Sequence, residues 1–400
     1  MTTIRDDTLA IDGGAPVRTS FLPYAHQQIS DEDVEAVAAA LRSDWLTTGP
    51  RVPAFEGGLV EATGARHAVA FSSGTAALHG AAAAAGLGPG DEAVTTPMTF
   101  AATANCVLYT GAEVRFADVD PGTLIIEPEL VAAAITPRTK AILPVDYAGH
   151  PADYGALRAI ADGAPGGRLT IIADASHSLG ATRDGKAVGT LADMTVLSLH
   201  PAKILTTGEG GAVLTDDDEL AGRLRRFRNH GIATELAART DWTYAMVELG
   251  YNYRLTDVGA ALGSSQLTRL AEFLARRREL AARYLERLAG HPYLDIPVVE
   301  PGADPAWHFC FAQLRLDRLR VDRGGVYRAL RAEGIGVNVH YIPVHQHPYY
   351  RGRYPGLAFP VADAAYERLL TLPLYAGMTT ADVDDVVAAL DKVTGAYRAS

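Results

Sequence analysis

The sequence predicts an α/β fold: a mainly parallel sheet with helices on both faces, followed by a smaller α/β unit. Three observations predict it. From residue 68 onward, short apolar strands alternate with helical segments. Over about 264–289, one apolar stripe at helical spacing runs longer than any other, as a helix bridging two units would. The chain has 400 residues, 48% hydrophobic and 21% charged, which is enough apolar material for a large core and more than one domain. The expected boundaries are 15–263 for the large domain and 264–400 for the small one.

The elements follow in order. Ser30 is a suitable N-cap for a helix over 30–42, where Val34, Val37, Ala38 and Leu41 recur at helical spacing. Asp44–Pro50 reads as a loop. Ala68–Phe71 is a strand, Ser72–Thr75 a turn, and Ala76–Ala85 a helix stopped by Gly86. Strand Glu92–Thr95 and helix Phe100–Tyr109 come next, then strands at Glu113–Phe116 and Ala141–Val145. A helix at about 154–162 leads to strands at Thr170–Ala173 and Met194–Leu197. On the long helix, Leu267, Leu270, Leu274, Ala281, Leu285 and Leu288 share a stripe that Arg276–Arg278 interrupt. Beyond it, Phe309–Leu316 is strand-like, and Gly324–Glu333 and Val383–Tyr397 are helical.

Composition excludes several classes of function. A net charge of −11 argues against a nucleic-acid partner. The densest basic run, Arg223, Arg225, Arg226 and Arg228, is interleaved with Leu224 and Phe227 at helical spacing and reads as a solvated helix face. Cys106 and Cys310 belong to no CxxC and no Cys/His cluster, so neither a disulfide nor a metal site is expected. Met1–Ala10 carries Arg5, Asp6 and Asp7 and no apolar signal segment, and the run Ala81–Ala85 is too short to span a bilayer. A soluble, cytoplasmic protein without a membrane partner is expected.

The chemistry centres on Lys203, in Ser198-Leu199-His200-Pro201-Ala202-Lys203 ahead of Thr206-Thr207-Gly208-Glu209-Gly210-Gly211. A lysine amine that loses its proton forms a Schiff base with an aldehyde, and the nearby Ser198 hydroxyl is suited to a phosphate. The combination points to pyridoxal 5'-phosphate. That cofactor also needs an anion at its pyridine nitrogen, a phosphate cradle and a platform for its ring. Asp174 follows a strand, where ligands bind in open α/β sheets, and is the candidate anion; taken alone it reads equally well as a helix cap. His177 is a candidate partner of the ring 3-hydroxyl, or an ordinary core or surface histidine. Gly74, Thr75 and Ala76 lie between a strand and a helix, where free N–H groups and the helix dipole favour a phosphate dianion. Phe100 is a candidate for stacking on the ring, although taken by itself a buried core phenylalanine is the simpler reading.

Two further motifs are set aside. Gly88-Pro89-Gly90-Asp91-Glu92-Ala93 fits a dinucleotide-binding spacing but precedes a strand instead of following one. Gly180–Lys186 resembles a phosphate loop, but Ala187 stands where a magnesium-binding hydroxyl is required, and Asp184-Gly185-Lys186 reads as a turn.

Together these blocks resemble the DegT-type sugar aminotransferases, pyridoxal-phosphate enzymes of fold type I, from Ile11-Asp12-Gly13-Gly14 to the last helix. The motifs that carry the resemblance are Ser73-Gly74-Thr75-Ala76-Ala77-Leu78, Asp174-Ala175-Ser176-His177, Ser198–Lys203, Thr207-Gly208-Glu209-Gly210-Gly211 and Gly250-Tyr251-Asn252-Tyr253-Arg254-Leu255. The resemblance implies a large cofactor-binding domain with a seven-stranded, mainly parallel sheet. It implies Lys203 as the Schiff-base lysine and proton shuttle, Asp174 at the pyridine nitrogen and His177 at the 3-hydroxyl. Gly74, Thr75, Ala76 and Ser198 would hold the phosphate, and Phe100 would stack on the ring. Asn252 would reach the phosphate of the neighbouring subunit's cofactor, in a homodimer with shared sites. Some relatives carry histidine in place of the lysine and are dehydratases. Lys203 therefore favours transamination, in which the cofactor alternates with pyridoxamine 5'-phosphate.

Val145-Asp146-Tyr147-Ala148-Gly149, Asp174–Gly180 and Val339–His345 are similar to the pseudaminic-acid branch of this family. That branch implies transfer from L-glutamate to the C4 keto group of a UDP-linked 4-keto-6-deoxy-N-acetylhexosamine, with no metal. Tyr24, Trp45, Thr48, His340, Tyr341 and His345 are the candidate sugar-nucleotide contacts; for the two histidines a structural role is equally open. Three alternatives stand beside this reading. One is an aminotransferase acting on a dTDP-keto-deoxysugar or keto-cyclitol in antibiotic biosynthesis. Another is a lyase such as a cysteine desulfurase, which would need a mobile catalytic cysteine that neither Cys106 nor Cys310 resembles. The last is a non-catalytic regulatory protein of the same fold.

Overall fold

The structure, a computed structural model, describes residues 8–233 and 241–399. Helix α1 (Asp31–Leu41) begins at Ser30, whose hydroxyl accepts from the Asp33 amide while the Asp33 carboxylate accepts from the Ser30 amide. Helix α2 (Arg51–Thr63) lies in a stretch where Pro53, Gly57 and Gly58 hide the periodicity, yet Val52, Phe55 and Leu59 bury one face of it. There follow β1 (His67–Phe71), α3 (Gly74–Ala84), β2 (Glu92–Thr95), α4 (Ala101–Tyr109), β3 (Glu113–Phe116), α5 (Pro128–Ala134) and β4 (Thr139–Leu143). Next come α6 (Tyr154–Asp162), β5 (Thr170–Asp174), the short β6 (Thr182–Arg183) and β7 (Lys186–Ala187), β8 (Met194–Ser198) and β9 (Gly211–Thr215).

Seven of these strands form one sheet in the order β1-β9-β8-β5-β4-β2-β3. The pairs from β8 through β3 are parallel, and β9 runs antiparallel to both of its neighbours. This is the mainly parallel seven-stranded sheet that the sequence predicts. Alternation along the strands explains why both faces are covered. Ile172, Val196 and Val213 face a core with Ala77, Leu78 and Leu224, whereas Ile171 and Ala173 face one with Val131 and Leu157.

Helix α7 (Asp218–Phe227) is capped by Asp217 and carries the basic run, which is largely neutralised: Arg223 pairs with Glu219, Arg226 with Glu248, and Arg228 with Glu56. The continuous helix expected over 264–289 is two helices, α8 (Asp257–Leu267) and α9 (Leu270–Leu288). The break has a physical cause. The Thr268 and Arg269 amides tighten onto Ser265 and Gln266, and Arg269 swings into an ion pair with the buried Asp33 at 2.5 Å. Leu267 therefore closes α8 and is not part of the α9 stripe.

The C-terminal unit comprises β10 (Leu294–Asp295), β11 (Ala303–Asp304), β12 (Cys310–Leu314), α10 (Arg323–Ala332), α11 (Pro348–Arg353), α12 (Pro360–Arg368), β13 (Leu369–Leu372) and α13 (Thr380–Ala396). β10-β12-β13 is an antiparallel sheet packed under α9, α10 and α13 through Tyr284, Leu330, Val387 and Leu390. β11 pairs with β6 and ties this unit to the first. Leu9 and Leu22 join the C-terminal core. The buried Glu333 carboxylate accepts from the Ala10 and Val17 amides, both at 2.9 Å, and from Lys392. Among the described residues, no helix is long and apolar enough to cross a membrane.

Candidate active site

A cavity of about 390 Å³ opens over the carboxyl ends of β1, β5 and β8. β5 ends on Asp174, β8 ends on Ser198, and Lys203 sits in the connection that turns back into the antiparallel β9. Gly74, Thr75, Asp174, His177, Ser198 and Lys203 all line it. Phe100, Tyr24, His340 and Tyr341 line it as well.

The cradle is built by α3. Ser73 caps the helix, its hydroxyl accepting from the Ala76 amide at 3.1 Å. Ala76 thus donates within its own cap and lies outside the cavity lining. Gly74 and Thr75, in the first turn, present the N-terminal end of the helix dipole to the cavity. A Cβ at Gly74 would stand 3.0 Å from Ser198 Cβ and 3.1 Å from Ser198 Oγ, so glycine keeps the gap between helix and strand open. The donor set fits a phosphate.

On the far side, Asp174 is 5% exposed. Its Oδ1 accepts from the Ser176 hydroxyl and its Oδ2 from the Thr103 hydroxyl, both at 2.6 Å. It supplies the buried anion that a pyridinium nitrogen requires. Burial pushes the Lys203 amine down to about 8, against the opposing pull of Asp174. An ammonium near that value yields a neutral, nucleophilic amine close to neutral pH. Phosphate cradle, anion and amine therefore fit the three polar ends of pyridoxal phosphate.

His177 lies against a group that sequence spacing does not reveal. Its ring is 4.4 Å from that of His308, and its Nε2 is 3.1 Å from the Tyr341 hydroxyl. Burial, with Lys203 adding to it, holds both imidazoles well below the usual histidine range, so they are neutral. Gly149 makes this layer possible: at φ 94°, a Cβ there would stand 2.8 Å from both the His177 carbonyl oxygen and the Trp307 nitrogen. His340 stacks on Phe309 with ring centroids 4.8 Å apart, and its Nδ1 is 2.9 Å from Thr371 Oγ1. Burial pushes it down to about 3. Phe100 is 60% exposed, with its ring 5.9 Å from Tyr341, so it is a cavity wall and not the buried core residue of the simpler reading.

Besides Ala76, four predicted residues lie elsewhere. Thr48 (φ 57°) borders a separate groove with Arg225, Arg228 and Arg254. His345 is buried against Phe359 and paired with Asp363 at 3.0 Å, a structural arrangement. Asn252 is exposed, bridged to Asn229, and outside this chain's cavity. Trp45, also named as a contact, lies outside the lining as well and is 48% exposed. His308, Ser176 and Thr103 are the residues that sequence reasoning misses. The one local signal for His308 was an imidazole at the mouth of the apolar strand β12.

Comparison with known proteins gives a consistent picture. The model of the DegT/DnrJ/EryC1/StrS aminotransferase family matches residues 27–391. The chain is 41% identical over 387 residues to the spore coat polysaccharide biosynthesis protein SpsC of Bacillus subtilis strain 168, covering 95% of this chain and 99% of that protein. Among solved structures, Helicobacter pylori PseC, an aminotransferase involved in the biosynthesis of pseudoaminic acid, superposes with a TM-score of 0.88 at 29% identity, covering 94% of this chain and 100% of the other. The PMP-form of Spr1654 from Streptococcus pneumoniae gives a TM-score of 0.88 at 29% identity, over 94% of this chain and 99% of the other. Matched along nearly its whole length, the chain belongs to the DegT/DnrJ/EryC1/StrS aminotransferase family and is a pyridoxal-phosphate-dependent transaminase.

Proposed function

We propose that this transaminase moves the amino group of L-glutamate to the C4 keto group of a UDP-linked 4-keto-6-deoxy-N-acetylhexosamine. The reading includes a cytoplasmic homodimer in which Asn252 serves the partner's site. The observation that carries the catalytic part is the convergence of Lys203, Asp174 and the Gly74–Thr75 helix start on one cavity. The sugar part is supported by similarity to SpsC and PseC, whose names place them in polysaccharide and pseudoaminic-acid biosynthesis. The aromatic and imidazole rim of Tyr24, Tyr341, His308 and His340 is suited to a sugar, offering ring faces and hydrogen-bonding edges.

The bound cofactor supplies an electron sink and carries the amino group between the two substrates. The protein does the rest. Gly74, Thr75 and Ser198 would hold the phosphate, and Asp174 would hold the positive charge on the ring nitrogen. With the cofactor bound, Lys203 Nζ would be the group that takes the proton from Cα of glutamate and later gives one back, first base and then acid. In the second half-reaction the same amine would act at C4 of the keto sugar. Neutral His177, linked to Tyr341, would meet the ring oxygen and orient it. Phe100 would supply the wall for the ring.

Lys203 also sets a pH dependence. With its amine pushed down to about 8, the neutral fraction climbs most steeply around pH 8 and levels off above about pH 9. The rate at which cofactor-free protein takes up pyridoxal phosphate follows the same curve in stopped-flow absorbance. A curve still climbing steeply at pH 10 would show an ordinary, unperturbed lysine.

The substrate is tested by loading the enzyme with amine from glutamate or glutamine and offering UDP- and dTDP-linked 4-keto sugars. The UDP-linked N-acetylated substrate, loaded from glutamate, restores the aldehyde form fastest. Turnover with a dTDP-sugar alone would move the protein to antibiotic-type deoxysugar chemistry.

A further inference from the structure

We infer that Thr103 is a positioning residue for Asp174, and that with Ser176 it forms a two-hydroxyl clamp aiming the carboxylate at the cofactor ring. The inference rests on the reading of Asp174 as partner of the pyridine nitrogen. Thr103 is the third residue of α4 and is fully buried. A threonine inside a helix ordinarily spends its hydroxyl on a carbonyl of the preceding turn. Here the Phe100 carbonyl is 3.2 Å away, but Asp174 Oδ2 is 2.6 Å away and Thr99 Oγ1 is 2.7 Å away.

A hydroxyl has one proton to give, and an ionised carboxylate only accepts. The order is therefore fixed: Thr99 donates to Thr103, and Thr103 donates to Asp174 Oδ2. On the other oxygen, Oδ1 accepts the Ser176 hydroxyl at 2.6 Å and the Ser176 amide at 3.2 Å. Hydrogen bonds of this length to a charged acceptor are the strong kind. The donors come from different elements, one from α4 and one from the turn after β5. Held at both oxygens, the carboxylate keeps one orientation, with lone pairs left for the ring.

Thr103 also joins the anion to the platform. Its amide donates to the carbonyl of Phe100 at 3.2 Å, with the hydroxyl oxygen at the same distance, and Phe100 is the N-cap residue of α4. One buried side chain thus sets the spacing between the wall on which the ring lies and the carboxylate at its edge. Displacing α4 would move both together.

The test uses the holoenzyme and reads binding and spectrum as well as turnover. In Thr103→Val, pyridoxal phosphate dissociates at least about tenfold faster, the loss expected for a hydrogen bond to a charged group. The pH midpoint of the visible cofactor–lysine band moves upward, because a loosely held carboxylate supports less positive charge on the ring. Thr103→Ser restores both. Ser176→Ala, acting on the other oxygen, shifts both in the same direction as Thr103→Val. Retention and midpoint unchanged in Thr103→Val, with both altered in Asp174→Asn, overturn the clamp and leave the role of Asp174 standing. If Asp174→Asn also changes neither, the reading of Asp174 falls and the clamp with it. Should Thr103→Val not fold, Ser176→Ala decides: an unaltered band and unaltered retention overturn the proposal.

Discussion

Lys203→Ala lowers amino transfer by about 10⁴-fold or more, because both proton transfers at Cα and at the receiving carbon lose their only nearby amine. The half-reaction with glutamate, followed by cofactor absorbance in a single turnover, measures this directly. Among the described residues no hydrogen bond holds its amine in place, so circular dichroism and the unfolding midpoint stay near those of the parent. Pyridoxal phosphate still enters the cavity, since the Gly74–Thr75 cradle and Asp174 are intact, but borohydride no longer fixes it to the chain. Wild-type turnover in this variant would remove Lys203 from the mechanism.

Asp174→Asn has the second largest effect. It removes a buried negative charge and places an amide N–H where one of two incoming hydroxyls, from Thr103 or Ser176, expects an acceptor. Charge that develops beside the ring nitrogen then has no fixed counter-charge, and turnover falls by about 10²–10³, the range found when one preorganised electrostatic partner is lost. The loss lies in kcat for both half-reactions, because both pass through the same electron-rich ring, while KM for the sugar changes little. A fall in the sugar's affinity with kcat preserved would assign Asp174 to substrate binding instead.

Local signals made much of this molecule legible. Many residues that line the cavity lie in short contiguous motifs at strand ends, so reading the strands brought together Asp174, Ser198 and the Gly74–Thr75 turn. The residues that support them are separated by long stretches of chain: 71 positions lie between Thr103 and Asp174, and no spacing connects His308 to His177. Tertiary packing alone brings them together. β9 escaped because Ala212-Val213-Leu214, between a glycine-rich loop and Thr215, is too short an apolar run to separate strand from helix. The 264–289 stripe looked continuous because Leu267 and Leu270 keep helical spacing across the break; the pull of Asp33 on Arg269 is invisible in a list of apolar positions. Thr48 and His345 show the opposite limit. Their residue types suited a sugar nucleotide, but a left-handed backbone at Thr48 and the carboxylate of Asp363 beside His345 give each a local setting away from the cavity.

The Glu333 knot has a temporal side. The carboxylate that gathers Ala10, Val17 and Lys392 makes the C-terminal unit discontinuous along the polypeptide, with contacts spanning 323 and 316 positions. A ribosome delivers the first strap of that unit long before the body it fastens to. The Glu333 and Lys392 partners of residues 9–22 follow the seven-stranded sheet in the chain, so this segment can reach its final contacts only after α10 and α13 have been made. Closure of the two ends onto each other is thus among the last events of assembly.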